Sequence, residues 1–505
     1  MASSRGQRAP LAAAMETTMT PQLWGILIVL GGAILLDGLD ISMVGVALPS
    51  IRSALHMSTS SLQWIVSGYA LGYGGLLLLG GRAADLLGRR RVFVASLAVF
   101  AVVSLLSGIV SSPGLLIAAR IIKGMAAAFT APAAMSLLTT TFPEGPLRNR
   151  AFSVFTVFGA SGFSLGLVLS GVLTEVSWRW TLLVSAPAAA LVLAGALTLI
   201  PREAGSGASR AGRRFDLPGA AVITATVLLL VYTVVNAQQA GWASARTIGS
   251  FAAVVVLGAL FAVIETRSAD PLMPFGIFRS APLRRAQVGS ITLFGSFVSF
   301  QFLLTQYLQS LEHWSAITTA LAFLPSSAIT AVLSLRTAKL LSRFSPAALV
   351  TAAFVSLVAA YAVFLRAGVT PDYPAVILPS LILVGTAFGL GFSALSVSAT
   401  AGVRNEQQGL ASSLFQASFQ VGGAVVLAVV TAVVEAGGAN TFTSPAAVLS
   451  AYRPALYLIT GVAAVGLLAA LPGLRRGANP ADEEAEPVVE TRPAQKPQVA
   501  ERDVS

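Results

Sequence analysis

The chain has no cysteine, two histidines and three lysines in 505 residues. Without cysteine there is no disulfide, no thiolate nucleophile and no thiolate metal ligand. His56 and His313 both fall in expected loops, where solvated side chains rather than a metal pair are expected. Charge is also scarce: Asp, Glu, Lys and Arg make up 10% of the residues, against about 25% in an average soluble domain. What fills the space is apolar. The chain is 55% hydrophobic, and several of its apolar runs reach the ~20 residues that cross a bilayer core. A transmembrane barrel would show short alternating segments instead. The composition therefore predicts an all-α polytopic membrane protein.

The runs predict fourteen transmembrane helices, near 23–48, 62–81, 92–110, 114–139, 151–174, 180–200, 217–237, 247–265, 286–308, 316–335, 346–366, 375–399, 409–434 and 454–472. The formal charge of +11 does not call for nucleic acid. Arg and Lys cluster in alternate loops, about 20 on one side against 5 on the other (Arg52, Arg179, Arg246, Arg366 and Arg453). That asymmetry places the richer side in the cytoplasm, and an even helix count puts both termini there. The first apolar run is too long for a signal-peptide core and is expected to stay as the first span. After Leu474 the chain turns acidic and proline-rich, the composition of a disordered tail.

Asp37 and Asp40 interrupt the first run. Three residues apart, they share one helix face, and each costs roughly 2.5–3.5 kcal/mol at a helix centre on the insertion scale. Nothing in packing requires them, so they mark a functional site unless both face a wet vestibule. Arg120 and Lys123 sit in the fourth run with the same i, i+3 spacing. Counted from the helix ends, Asp40 and Lys123 lie at equal depth, ~13 Å in at 1.5 Å per residue. If the two faces meet, two acids and two bases form a nearly neutral cluster, cheaper than four lone charges.

The chain also repeats itself. The loop Arg82-Ala83-Ala84-Asp85-Leu86-Leu87-Gly88-Arg89 aligns without a gap with Arg336-Thr337-Ala338-Lys339-Leu340-Leu341-Ser342-Arg343. The second and tenth helices thus take matching places in two six-helix halves, residues 23–200 and 266–472. Residues 201–265 form a linker and an inserted helix pair, residues 1–22 a cytoplasmic lead, and residues 473–505 the tail. Such repeats mark secondary transporters, with the substrate site between the halves near mid-membrane.

The segment from Gly81 to Arg90, with Asp85, Gly88 and Arg89, resembles the signature cytoplasmic loop of the major facilitator superfamily. Its expected logic is a charge latch from Asp85 to Arg89, with Gly81 and Gly88 permitting close approach and a sharp turn. Leu39 through Pro49 resembles the first-helix motif of the fourteen-helix drug:proton antiporters, with Ser42 and Gly45 where that family usually has Thr and Asn. Asp40 matches the family's acid, and Asp37 is additional. Leu116 through Ala128 resembles the fourth-helix motif, with Arg120 at the arginine linked to proton transfer and Lys123 in place of the usual Gln. Trp178-Arg179-Trp180, Asp216-Leu217-Pro218-Gly219, Pro271-Leu272-Met273-Pro274 and Gln420-Val421-Gly422-Gly423 resemble later landmarks. In helix 5 the antiporter proline is missing. Gly162, Gly166 and Ser170, with Gly171, keep a small-residue stripe for close helix packing but not the kink.

The resemblance implies a secondary transporter driven by the proton gradient, with no cofactor and no metal. Its expected partners are protons, the lipid bilayer and a hydrophobic small molecule, and it is expected to act as a monomer in the cell membrane. Asp40 is expected to carry the proton, with Arg120 as its modulating partner and Asp37 sharing the proton or facing substrate. Phe297, Gln301 and Gln306 of the ninth helix are the expected cavity residues, aromatics and amides suiting a large apolar ligand. Export of drugs or a natural product is the leading expectation, and a facilitator or proton symporter is the alternative, since fold does not set direction. An enzyme would need a catalytic constellation, and none is found. A sensor would carry a soluble domain, for which the loops are too short.

Overall fold

The computed structural model describes residues 19–143, 146–201, 216–268, 271, 273–341, 343–370, 372–401, 403, 407–437 and 445–476. The tail beyond Arg476, the first eighteen residues and loop arginines such as Arg210 and Arg404 lie outside the described residues.

Every regular element among the described residues is helical. In chain order these are α1 (Pro21–Leu55), α2 (Thr59–Leu87), α3 (Arg89–Ile109), α4 (Pro113–Thr141), α5 (Pro146–Val176), α6 (Trp178–Leu199, broken by a turn at Val184), α7 (Leu217–Ala240) and α8 (Ala245–Arg267). They continue with α9 (Ala281–Thr305), α10 (Ala316–Leu341), α11 (Pro346–Phe364), α12 (Leu378–Thr400), α13 (Gln408–Ala436) and α14 (Pro445–Arg476). Twelve of these helices are long and apolar enough to cross a membrane, so the chain is a multi-pass membrane protein. α2 and α7 are the two not among them, and α7 carries only a shorter apolar stretch, Pro218–Val234. α2 runs through two tyrosines and a glycine-rich middle that pack inside protein rather than face lipid.

Helix starts follow capping chemistry. Thr20, Ser58, Ser244, Ser280 and Ser345 each turn a hydroxyl to a backbone N–H of the first turn, satisfying donors the helix leaves open. The break between α2 and α3 is a single residue, Gly88, at φ +102. The α7–α8 hairpin turns at Gly241, φ +87. Both conformations lie where a side chain is strained. His56 and His313 are the two described non-glycine residues with positive φ, at 50° and 56°. His56 ends α1, and His313 follows the π-turn (Gln306–Leu311) that prolongs α9. A side chain in this region costs roughly 1–2 kcal/mol. His56→Gly is therefore expected to be neutral or to raise the thermal midpoint of the purified protein slightly, and a drop would show that the exposed imidazole is needed.

The packing repeats between halves. α1 lies along α5, α2 along α4, and α3 against α4 and α6; in the second half α9 lies along α13, α10 along α12, and α11 against α12 and α14. The close pairs are glycine-mediated in both. A Cβ at Gly124 would meet the Tyr69 carbonyl oxygen at 2.0 Å, and one at Gly385 would meet that of Ser326 at 2.3 Å. Two seams join the halves, α2 with α13 and α5 with α10. α7 packs on α2 and α13, its Thr224 hydroxyl donating to the Gly75 carbonyl at 2.9 Å. Asp216 caps α7 through the Gly219 N–H, and Glu265 at the end of α8 accepts from the Met273 N–H, tying the helix pair to the approach to α9.

The apolar core is not evenly shared. Toward the face where α1 ends, residues of the first half such as Val46, Ile51, Ile65 and Leu182 belong to one continuous core with the second half. Toward the face where α1 begins, Leu27, Phe93, Leu138 and Phe155 form a separate core confined to the first half. The halves are thus sealed together at the far face, where Gln309 Nε2 donates to the Val46 carbonyl at 3.1 Å and the Ile317 N–H to Glu175 at 3.3 Å.

Candidate functional site

Asp40 is fully buried on α1, with Arg120 and Lys123 of α4 fully buried against it. Arg120 Nη1 donates to Asp40 Oδ2 and Lys123 Nζ to Oδ1. Ser185 of α6 adds a donor to Oδ1 at 3.4 Å. The guanidinium is held from its other edge by the Ile65 carbonyl, which accepts from Nε at 2.8 Å. Each cation also rests on a ring, Arg120 over Tyr69 at 4.6 Å and Lys123 over Phe100 at 4.7 Å. The shared i, i+3 spacing of both pairs is what brings them face to face at one depth.

Asp37 lies one turn nearer the face where α1 begins. It accepts from Tyr69 of α2, and Tyr73, four residues along the same face, lies near it. The four charges sum to zero, as expected for a buried group of this size. The two acids differ in surroundings. Asp40 is closed in, whereas Asp37 is partly exposed and lines a small cavity with Ala33, Ile34, Phe100 and Thr130. Ala33 and Thr130 place that cavity inside the first half, toward the face where α1 begins. Asp40, Arg120 and Lys123 do not line it.

Across the seam from the charges stands an aromatic wall. Phe294 stacks on Phe419 at 3.9 Å, Phe297 meets Phe388 at 4.6 Å, Phe392 meets Phe419 at 5.3 Å, and Phe163 of α5 reaches Phe297 at 5.7 Å. Phe163, Phe388 and Phe392 are half-buried, the others of the group buried. Phe297 is the sequence-expected cavity residue that joins this wall. Gln301 does not; its amide sits against α1, where a Cβ at Gly45 would meet Nε2 at 3.3 Å. Gln306 is buried at the start of the π-turn in the sealed end, its Oε1 without a hydrogen bond among the described residues.

The glycine-rich loop needs one correction. Gly88 makes the sharp turn, but Gly81 does not provide the close approach. A Cβ there would find Pro132 and Ser413 at an ordinary 3.8 Å, whereas at Gly80 it would collide with the Ala128 carbonyl oxygen at 2.1 Å. One residue along a helix turns the side-chain direction by about 100°, which swings Gly81 from the α4 backbone to the groove between α4 and α13. Arg90 binds the carbonyls of Leu197 and Ile200, clasping the end of α6. Arg89 is half-buried at the start of α3, while the side chain of Asp85 lies outside the described residues. In α5, Gly162, Gly166 and Ser170 lie on α1 beside Leu35, Leu39 and Met43, with the Ser170 hydroxyl donating to the Met43 carbonyl at 2.5 Å. Gly171 faces Ala320 of α10 across the seam instead.

Sequence reasoning missed Tyr69, Tyr73 and Ser185. The tyrosines carried a signal, two hydroxyl-bearing rings spaced by four in a span; Ser185 carried none. The pairs Phe388–Phe392 and Phe415–Phe419 were likewise visible as i, i+4 aromatics.

Comparison with known proteins agrees with this architecture. The family description Major Facilitator Superfamily matches residues 30–427. The puromycin resistance protein pur8 of Streptomyces alboniger is 37% identical over 462 residues, covering 88% of this chain and 89% of its own. The cephamycin export protein CmcT of Amycolatopsis lactamdurans is 37% identical, covering 87% and 91%. Among solved structures, the nucleoside transporter NupG superposes with a TM-score of 0.62 at 14% identity, covering 90% of this chain and 100% of that one. A D-xylose–proton symporter gives a TM-score of 0.60 at 14% identity, covering 89% and 96%.

Proposed function

The chain belongs to the major facilitator superfamily, and on that premise we propose that it is a proton-coupled exporter of hydrophobic drugs or a natural product. It works by alternating access, as a monomer in the cell membrane, with fourteen spans and both termini in the cytoplasm. Residues 23–200 and 266–472 are the two rocking halves, with residues 201–265 inserted between them. The observation that carries the reading is the buried four-charge cluster on α1 and α4 facing an aromatic wall across the seam, in a chain 37% identical to a puromycin-resistance and a cephamycin-export protein.

Export follows from the physics of the parts. The charge-rich loops put the face where α1 begins in the cytoplasm, so the seal among Val46, Gln309, Glu175 and Ile317 closes the outside. A closed outer face is what an exporter needs while it loads cargo from the cell. The aromatic wall offers area and little charge, which suits large apolar ligands with few fixed polar contacts. Proton binding in the cluster changes its net charge and with it the energy of the state in which it is buried. A reversible protonation thereby biases the rocking of the halves.

The test is transport of puromycin by the purified full chain in proteoliposomes under an imposed pH gradient. Movement opposite to the proton flow, abolished by a protonophore, is expected. Movement with the protons would establish symport, the reading favoured by the missing helix 5 proline. A panel of drugs and metabolites with no response to the gradient would defeat both. Phe419→Ala is expected to raise the half-saturating puromycin concentration several-fold, since a stacked ring pair contributes about 0.5–1.5 kcal/mol beyond its buried area. An unchanged value would remove the wall from the binding site.

A further inference from the structure

The first-helix motif singles out Asp40 as the acid that matters. The geometry points elsewhere: we propose that Asp37 is the carboxyl that takes up and releases the coupling proton, and that Lys123 has turned Asp40 into a fixed counter-ion. The proposal rests on the proton-coupled reading and deepens it by assigning its site.

Three observations converge. Both oxygens of Asp40 are occupied by full cations, Arg120 on Oδ2 and Lys123 on Oδ1, and the residue has no exposed surface. A proton arriving there would have to displace a buried ammonium or guanidinium, leaving it uncompensated. Asp37 has no cation on it. Its hydrogen-bond partner is the Tyr69 hydroxyl, with Tyr73 near by, and a hydroxyl can donate to a carboxylate or accept from a carboxyl by rotating. Finally, the small cavity between α1, α3 and α4 is lined by Asp37 and not by Asp40. Of the two acids, Asp37 is the half-buried one and Asp40 the fully buried one.

The charged and titratable groups around Asp37 are Asp40 on its own helix, Tyr69 and Tyr73 from α2, and Arg120 and Lys123 from α4; α3 contributes the uncharged Phe100. With both acids ionised the cluster is neutral. Uptake of one proton makes Asp37 a neutral carboxyl and the cluster +1; its release restores neutrality. Asp40 stays ionised throughout and keeps the two cations paired. Lys123 is the residue that decides between the acids. With an uncharged amide in its place, Asp40 Oδ1 would lose its cation and become free to titrate.

Infrared difference spectroscopy on the purified, reconstituted full chain, stepped from alkaline to acid pH, tests this without any transported compound. Wild type is expected to gain a protonated-carboxyl band from a buried site. That band is expected to vanish in Asp37→Asn. It is expected to be joined by a second band in Lys123→Gln, the second surviving in Asp37→Asn/Lys123→Gln. Persistence of the wild-type band in Asp37→Asn, or its absence from wild type, overturns the assignment. So does a Lys123→Gln spectrum identical to wild type, since Asp40 would then not be locked by Lys123. Because no drug is present, failure of puromycin transport would count against the export reading alone and leave this result standing.

Discussion

Asp40→Asn is expected to destabilise the protein by about 3–5 kcal/mol, the cost of leaving buried charges without their partner. Here one carboxylate serves two cations, so its removal strands both Arg120 and Lys123 in a fully buried setting. The detergent-solubilised variant should show a thermal midpoint well below wild type and poor accumulation in the membrane. Adding Lys123→Gln should recover part of the loss, because the double variant has one stranded cation instead of two. Asp37→Asn, which removes a carboxylate bound only by a tyrosine hydroxyl, should lose far less. Equal midpoints for Asp40→Asn and Asp37→Asn would contradict the unequal division of the charges between the two acids.

Gly124→Val should separate α2 from α4 at the site itself. A Cβ at this position falls 2.0 Å from the Tyr69 carbonyl oxygen and 3.0 Å from its Cα, backbone atoms that no rotamer change can move. Overpacking of this kind costs on the order of 1–3 kcal/mol where side chains can yield, and more is expected where helices must part. Tyr69 is the residue that binds Asp37 and faces the Arg120 guanidinium. The variant should therefore lose gradient-driven transport even when enough protein survives to assay. Gly114→Ala is the control, an exposed glycine with open space around its Cβ, and should leave thermal midpoint and transport unchanged. Wild-type stability in Gly124→Val would mean that the helices do not approach as described.

The legibility of this molecule in its sequence divides by physical cause. The spans follow from the length of apolar runs, and the membrane class from the lack of charge. The meeting of Asp40 with Arg120 and Lys123 was legible because helix rise turns residue counts into depth, and because charges in lipid must find one another. The contacts of Gly162, Gly166 and Ser170 with α1 were legible from a stripe of small residues. What stayed hidden depends on azimuth and on partners far along the chain. Gly80 and Gly81 are alike in sequence, and only the rotation of α2 decides which meets α4. Gln306 reads as a cavity amide by composition, but its burial at the far face depends on how the halves pack there. Tyr69 and Tyr73 lie in a stretch where an apolar count sees only a weaker span. The separation of the two acids into a clamped one and an accessible one rests on a cavity, and a cavity has no sequence pattern.

The inserted helices break the symmetry of an otherwise twofold machine. α7 covers the α2–α13 seam, so that flank slides against protein, with the Thr224–Gly75 hydrogen bond to be kept or remade at each stroke. The α5–α10 seam has no helix packed over it in this way among the described residues. In a membrane, acyl chains would meet the two seams unequally. Bilayer thickness and fluidity should then govern the two flanks unequally, and the stroke becomes a swing from the guarded side rather than an even rocking of equals.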